Sequence, residues 1–585
     1  MSVAERTDAS PQDALAEAPR ERRWPWWLGI VALLAASAAL RVWGVGQGLP
    51  YAYNADENAH FVPGAIGLFG HGYNPYYFVN PPAYTYVLHA VLAGWFGGRA
   101  GVSEAFTTDP TQVWIVARLT AAFFGTLAVG VLYLAGTRLF GRAAGLLSAA
   151  TLAFAFLPVF YSHLALNDVV TLAPVALSLW GTAGIVRRGR PVDYVLAGVG
   201  LGLACATKYT GGLVALPLLT AGVIRIVEER GRRRRAFGLL VAACVVSLPA
   251  FVAANPYAIL DYEGLRDGLI HQSDAAGAAM GKLGLTQTSG HLYYLWTATW
   301  GLGWVPVLAA LAGAVLLARA EPKLALVLVP APILYVIFMG DQARFFGRWL
   351  LPAFPFACLL AGFAVARLVA FAARGRPRMA PAVAALATVL LLGQGVVMSL
   401  HSGQVLANAD TRNLARDWLV KNVPGGTRIV VEPVVPDAWA TDIGRPYRGT
   451  RNGARWAKYA TSRSNVANDG SIVPGPGRIV NIEDYERTLY PGLVDRYEQK
   501  GYCWVVTGST QRGRAEVQPR KVPNALPYYR ELERRGRLVY EASPFRRGAK
   551  PVAFNFDWTF DYYPLAYDRP GPIMRVYRLQ GGKCA

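Results

Sequence analysis

The chain has 585 residues, 53% of them hydrophobic and only 16% charged, with a formal net charge of +21. Soluble globular chains carry about a quarter charged residues, so this composition excludes an ordinary soluble protein. The positive charge would suit nucleic acid, but its placement argues against that partner. The arginines fall in short clusters between apolar runs: Arg20, Arg22 and Arg23; Arg138 and Arg142; Arg187, Arg188 and Arg190; Arg230 with Arg232 to Arg235; Arg374, Arg376 and Arg378. Basic loops retained on the cytoplasmic side of a membrane produce that pattern.

In chain order, residues 1–23 are a polar tail and the first apolar run covers 24–43. No small-residue cleavage site follows it, so it reads as an uncleaved span. Further candidate spans are 112–137, 144–160, 165–186, 193–206, 209–226, 236–254, 293–318, 323–339, 346–370 and 380–400, about eleven in all at roughly 20 apolar residues each. With the tail inside, the loops 138–143, 187–192, 227–235, 319–323 and 371–379 also fall inside, and all carry Arg or Lys. Residues 401–585 then fall outside. The apolar stretch 82–97 is too short to span, and counting it would reverse the later loops. It reads as an interfacial or re-entrant helix.

The last part of the chain reads as a soluble α/β domain. A helix starts at Asp410 and closes at Pro424, Gly425 and Gly426. Strands are predicted at 428–432, 503–508, 537–541 and 573–578, with a helix near 526–535 and an irregular stretch at 447–480. Cys503 and Cys584 lie in this domain, and spacing alone does not show whether they pair.

Chemistry concentrates in the loop after the first span. Tyr-Asn-Ala-Asp-Glu-Asn-Ala-His-Phe occupies 53–61, and the loop runs through His-Gly-Tyr-Asn-Pro at 71–75 to Asn-Pro-Pro-Ala-Tyr-Thr-Tyr at 80–86. An acidic pair beside a bilayer is costly unless paired or used. A solvated loop with a capping acid is the blander account of Asp56 and Glu57. Three later segments share the predicted outer side: Tyr-Ser-His-Leu-Ala-Leu-Asn-Asp at 161–168, Ala-Thr-Lys-Tyr-Thr-Gly-Gly at 206–212, and Arg-Phe-Phe-Gly-Arg-Trp-Leu-Leu-Pro-Ala-Phe-Pro-Phe at 344–356. The loop 255–292 is long for a connector, and its Gly- and Ala-rich part, 275–284, suits either a lid or a disordered loop.

These motifs, in this order, resemble the GT-C glycosyltransferases, among them the protein O-mannosyltransferases and the lipid A aminoarabinose transferase. The likeness covers most of 24–400. Phe345 stands where the family often has Tyr, and a Gly-Arg pair precedes the Leu-Leu-Pro. The resemblance implies a polytopic α-helical membrane protein: a cytoplasmic tail at 1–23, a GT-C-like catalytic domain at 24–400 and an extracytoplasmic α/β domain at 401–585. It implies a multi-pass enzyme of the plasma membrane that takes a sugar from a polyprenyl-phosphate carrier. The acceptor would be a hydroxyl of a glycan, lipid or protein. Transfer would be inverting, with Asp56 as general base, Glu57 orienting it or the acceptor, and Asp168 as a further active-site acid. Lys208, Tyr209, Arg344 and Arg348 would bind the lipid phosphate; snorkelling to the interface is the alternative for the cations. His60 and His163 could join the carboxylates around a divalent metal ion, or simply be hydrogen-bonded histidines; no other cofactor is implied. Two other function classes remain: a lipid or sugar transporter or flippase, and a membrane-anchored binding protein. No repeat supports the transporter.

Overall fold

The computed structural model describes residues 24–70, 72–277, 283, 289–444, 453–460, 463–464, 478–479 and 482–585. The predicted tail 1–23, His71, most of the stretch 275–284 and most of 447–480 lie outside these residues.

Among the described residues, eight helices are long and apolar enough to cross a membrane: Thr111–Phe140, Asn167–Arg187, Tyr209–Glu228, Arg230–Ala254, Gly290–Ala320, Pro322–Gly340, Gly347–Gly375 and the apolar part of Pro377–Asn422. Three shorter apolar helices, Trp26–Val42, Arg142–Phe154 and Pro191–Thr207, fall on the remaining predicted spans. One of them is short for a definable reason. Pro158 cannot donate to the carbonyl four residues back, so the helix breaks at Ala155, which takes ψ 133°. The freed Phe154 carbonyl accepts from Ser399 Oγ at 2.9 Å. The carbonyls of Leu152 and Ala153 accept from the buried Arg41 guanidinium at 3.3 and 3.0 Å. That cation thus satisfies a helix C-terminus inside the bundle.

Small residues set the helix spacing. On Pro191–Thr207, a Cβ at Gly200 would lie 2.4 Å from Ser178 N, and one at Gly198 would lie 2.2 Å from the Ala243 carbonyl. The helix is therefore clasped between its two neighbours at backbone contact, as glycine permits.

The arginine-bearing loops meet at one end of the bundle. Arg188 pairs with Asp193 at 2.7 Å, Arg138 with Asp193 at 3.1 Å, Arg187 with Glu321 at 2.8 Å and Lys323 with Glu228 at 2.5 Å. The opposite end carries the first long loop. There the helix Ala83–Phe96 buries Tyr84, Leu88 and Leu92, and Tyr84 donates to the Ala117 carbonyl at 3.1 Å.

Helix Ala380–Ala407 leads at that same end into the sheet-containing C-terminal region. Asp410 caps helix Thr411–Asn422 by accepting from Arg412 N at 2.8 Å. Arg428–Val431 lies parallel to Ala457–Lys458 on one side and to Trp504–Gly508 on the other. Met574–Leu579 and then Gly536–Ala542 extend the sheet antiparallel. The helices Gly492–Lys500 and Ala525–Arg535 cover it, completing the expected α/β arrangement. Cys503 and Cys584 form a disulfide that ties the chain's last residues to the central strand.

Glu432, at the end of that first strand, is buried between the Tyr529 hydroxyl at 2.6 Å and the Gly508 N–H at 2.8 Å. Burial pushes its carboxyl up to about 8, against 4.5 for an ordinary glutamate. Between those two values the native state holds a proton that the unfolded chain has released. The group's contribution to stability is therefore greatest below about 4.5 and falls as pH rises towards 8. Thermal unfolding followed across that window should show a declining midpoint, and Glu432→Gln should flatten the decline. An equal slope in the variant would assign the pH dependence to other groups.

Candidate functional site

Asn54 begins the site. Its side-chain oxygen accepts from the N–H groups of both Asp56 and Glu57 at 3.1 Å, which starts the short helical turn Glu57–Phe61. The cap is thus Asn54, and both acids keep their carboxylates for other partners. They point in different directions. Glu57 is fully buried, forks onto Arg118 at 2.8 Å through both oxygens, and accepts from Ala165 N at 2.9 Å. Arg118 also donates to the carbonyls of Val45 and Gln47 at 2.8 Å each. Glu57 therefore locks the loop to the helix Thr111–Phe140 and to the non-helical segment at Ala165, and it faces no open space.

Asp56 turns the other way and meets Arg348 at 2.5 Å. Arg348 reaches on to Asp168 at 3.5 Å, and Asp168 is bonded to Lys208. Lys208, at the C-terminal end of Pro191–Thr207, follows a helix terminus that favours a cation. Asp168 lies in the turn Asn167–Val170, and Asn167 donates to the Thr207 carbonyl at 2.8 Å, tying that turn to the end of helix Pro191–Thr207. The result is an alternating row, Lys208–Asp168–Arg348–Asp56. Side-chain exposure along it is 9%, 4%, 15% and 39%, so only its Asp56 end opens outward.

Arg344 and Arg348 both lie over the Phe346 ring, at 5.2 and 4.4 Å. Tyr209 donates to the Phe78 carbonyl at 2.9 Å, which fixes the loop 77–80 beside the row rather than aiming the phenol into it. Tyr77 on that loop stacks on His60 with ring centroids 4.6 Å apart.

His60 stacks on Tyr77, and His163 is held by backbone carbonyls and not by a carboxylate. His163 is buried, with Nε2 3.0 Å from the Trp43 carbonyl and Nδ1 3.3 Å from that of Phe160. Among the described residues no group of three or more His, Cys, Asp or Glu side chains is arranged to hold a metal ion. The donor set does not fit one, because Glu57 and His163 are both turned into the fold.

Three residues at the site were missed in the sequence. Arg118 carried a signal, a lone charge in an apolar run. Tyr161 opens one of the quoted motifs but was not read as a site residue, and Asp561 carried no signal; they meet at 3.2 Å across 400 residues of chain.

Residues 111–254 match the family model for dolichyl-phosphate-mannose-protein mannosyltransferase. No curated protein matches the chain. Among solved structures, the archaeal oligosaccharyltransferase AglB from Archaeoglobus fulgidus, in complex with an inhibitory peptide and a dolichol-phosphate, is 11% identical. It aligns over 96% of this chain and 89% of its own, with a TM-score of 0.53. An Archaeoglobus fulgidus oligosaccharyltransferase tethered with an acceptor peptide gives 12% identity over 97% of this chain and 90% of its own, with a TM-score of 0.51. ArnT from Cupriavidus metallidurans bound to undecaprenyl phosphate is 19% identical over 68% of this chain and 82% of its own, with a TM-score of 0.46. The resemblance carried by the order of these motifs is thereby borne out at the level of the fold: this chain has the fold of the GT-C glycosyltransferases.

Proposed function

We propose that the protein transfers a sugar from a polyprenyl-phosphate carrier to an acceptor hydroxyl on the outer face of the membrane, with inversion at the anomeric carbon. The observation that carries this reading is the row Lys208–Asp168–Arg348–Asp56, buried at its cationic end and open at a carboxylate. Asp56 takes the proton of the acceptor hydroxyl as its oxygen attacks the anomeric carbon. The bond from that carbon to the phosphate oxygen breaks, and the phosphate leaves with the electron pair. Arg348 stands between base and phosphate. As Asp56 loses its negative charge to the proton, the guanidinium can follow the charge that develops on the phosphate. Arg344 and Lys208 add fixed positive charge, and Asp168 holds Lys208 and Arg348 apart in register.

An expected consequence is loss of carrier affinity. Lys208→Ala and Arg348→Ala should each weaken binding of undecaprenyl phosphate to the purified protein by about 1.5–3 kcal/mol, the usual worth of a hydrogen bond to a charged group. Parental affinity in both would refute the phosphate site. Product identified by mass spectrometry after incubation with a polyprenyl-phosphate sugar would establish the reaction itself.

Two observations support this orientation. The arginine-rich loops share the end opposite the site, as cytoplasmic loops would. The C-terminal region carries a disulfide, which persists in oxidising compartments. A reporter fused after residue 400 should thus be active outside the cytoplasm; activity only in the cytoplasm would overturn both topology and site.

A further inference from the structure

Arg344 and Arg348 stand two residues before and two residues after Phe346, and both guanidinium groups lie over its ring, 5.2 and 4.4 Å from the centroid. Phe346 itself is extended, with φ −139° and ψ 144°, and leads into the short helix Gly347–Ala353 that carries Arg348. Its ring has two aromatic neighbours. Trp349 meets it edge to face with ring centroids 5.0 Å apart, and the Trp349 N–H donates to the Phe346 carbonyl at 3.0 Å. Phe556, from the C-terminal region, meets it at 6.3 Å.

The segment around Phe556 is fastened to the helix bundle at several points. Asn555 caps the short helix Phe556–Phe560 by accepting from Trp558 N at 3.1 Å. The Tyr293 hydroxyl donates to Asp557, and that of Tyr161 donates to Asp561 at 3.2 Å. Trp558 packs on Trp296, with ring centroids 5.3 Å apart. The C-terminal region thus presents Phe556 to the Phe346 ring from a fixed support.

A carboxylate fixes an arginine by neutralising it. An aromatic face attracts the guanidinium without taking one of its N–H donors and without cancelling its charge. Arg348 has both kinds of neighbour: Asp56 and Asp168 on its nitrogens, and the Phe346 ring beneath it. The ring limits where the guanidinium can swing, and the same ring holds Arg344 beside it.

We propose that Phe346 is a positioning residue that holds Arg344 and Arg348 towards the carrier phosphate, with Phe556 of the C-terminal region seating its ring. This step rests on those arginines serving the phosphate. The test is binding of undecaprenyl phosphate, and of uncharged undecaprenol, to the full chain, with thermal unfolding recorded alongside. Phe346→Leu keeps an apolar side chain but loses the π face. It should weaken binding of the phosphate about threefold to tenfold, the range of a cation over an aromatic ring, and leave binding of the alcohol unchanged. Phe346→Tyr keeps the face and should bind as the parent does. Phe556→Leu should shift phosphate binding in the same direction by a smaller factor. In an Arg344→Ala/Arg348→Ala background, Phe346→Leu should have no further effect, because the ring then has no cation to hold. Weakened binding in that arginine pair variant beside parental affinity in Phe346→Leu overturns the positioning role and leaves the phosphate site standing. Parental affinity in the arginine pair variant overturns both. Equal losses for phosphate and alcohol, or for the Leu and Tyr variants, would make the ring a packing element and overturn the proposal. Should Phe346→Leu not fold, Phe556→Leu carries the same comparison of phosphate with alcohol, and parental phosphate affinity in it overturns the proposal.

Discussion

Asp56→Asn is expected to remove nearly all transfer, by about 10²–10⁴-fold, the usual contribution of a positioned general base, while the protein stays folded and still binds the carrier. Asparagine keeps the shape of aspartate and one acceptor oxygen, which Arg348 can still meet. It cannot take the proton from the attacking hydroxyl. The exposure of Asp56, 39% of its side chain, makes the change mild for the fold, since water can solvate whatever the substitution leaves unpaired. Single-turnover transfer from a polyprenyl-phosphate sugar, read beside carrier binding, separates the two effects. Equal turnover in the variant and the parent would remove Asp56 from the chemistry.

The helices were legible because apolar runs of spanning length leave few alternatives, and basic loops mark where each run ends. The break at Ala155 was less so: Pro158 was visible, but the loss of a helical hydrogen bond shortens Arg142–Phe154 only because Arg41 and Ser399 satisfy the carbonyls it frees. For the site, what a sequence shows is which polar groups sit near the ends of apolar runs. Asp56, Asp168, Lys208 and Arg348 were found that way, and the structure brings them into one row. Direction was not visible. Asp56 and Glu57 are neighbours in the chain, yet one faces Arg348 and the other Arg118, because the turn that Asn54 caps sends successive side chains apart. His163 belongs to one of the motifs that carried the family resemblance, but its ring is closed off by two backbone carbonyls that no local pattern predicts. Asp561 was invisible as a site residue, since its meaning depends on docking a region 400 residues downstream against Tyr161.

The second large effect should come from the other acid of the pair and should differ in kind. Glu57→Gln leaves the Arg118 guanidinium buried without its countercharge. Removing one partner of a buried ion pair typically costs about 3–5 kcal/mol. Arg118 retains the carbonyls of Val45 and Gln47, which lessen the loss, but neither carries charge. Glu57→Gln should therefore lower the thermal unfolding midpoint of the purified protein clearly, whereas Asp56→Asn should leave it nearly unchanged. Transfer by the Glu57 variant should fall with the folded fraction and recover where the protein is held folded, at low temperature. A lost activity that persists in fully folded Glu57→Gln protein, with an unaltered midpoint, would give Glu57 the chemical role and leave the ion pair with Arg118 as secondary. The contrast is informative because the two acids are adjacent: a general disturbance of the loop would move both variants alike, and only the opposed directions of the two side chains separate a loss of proton transfer from a loss of fold.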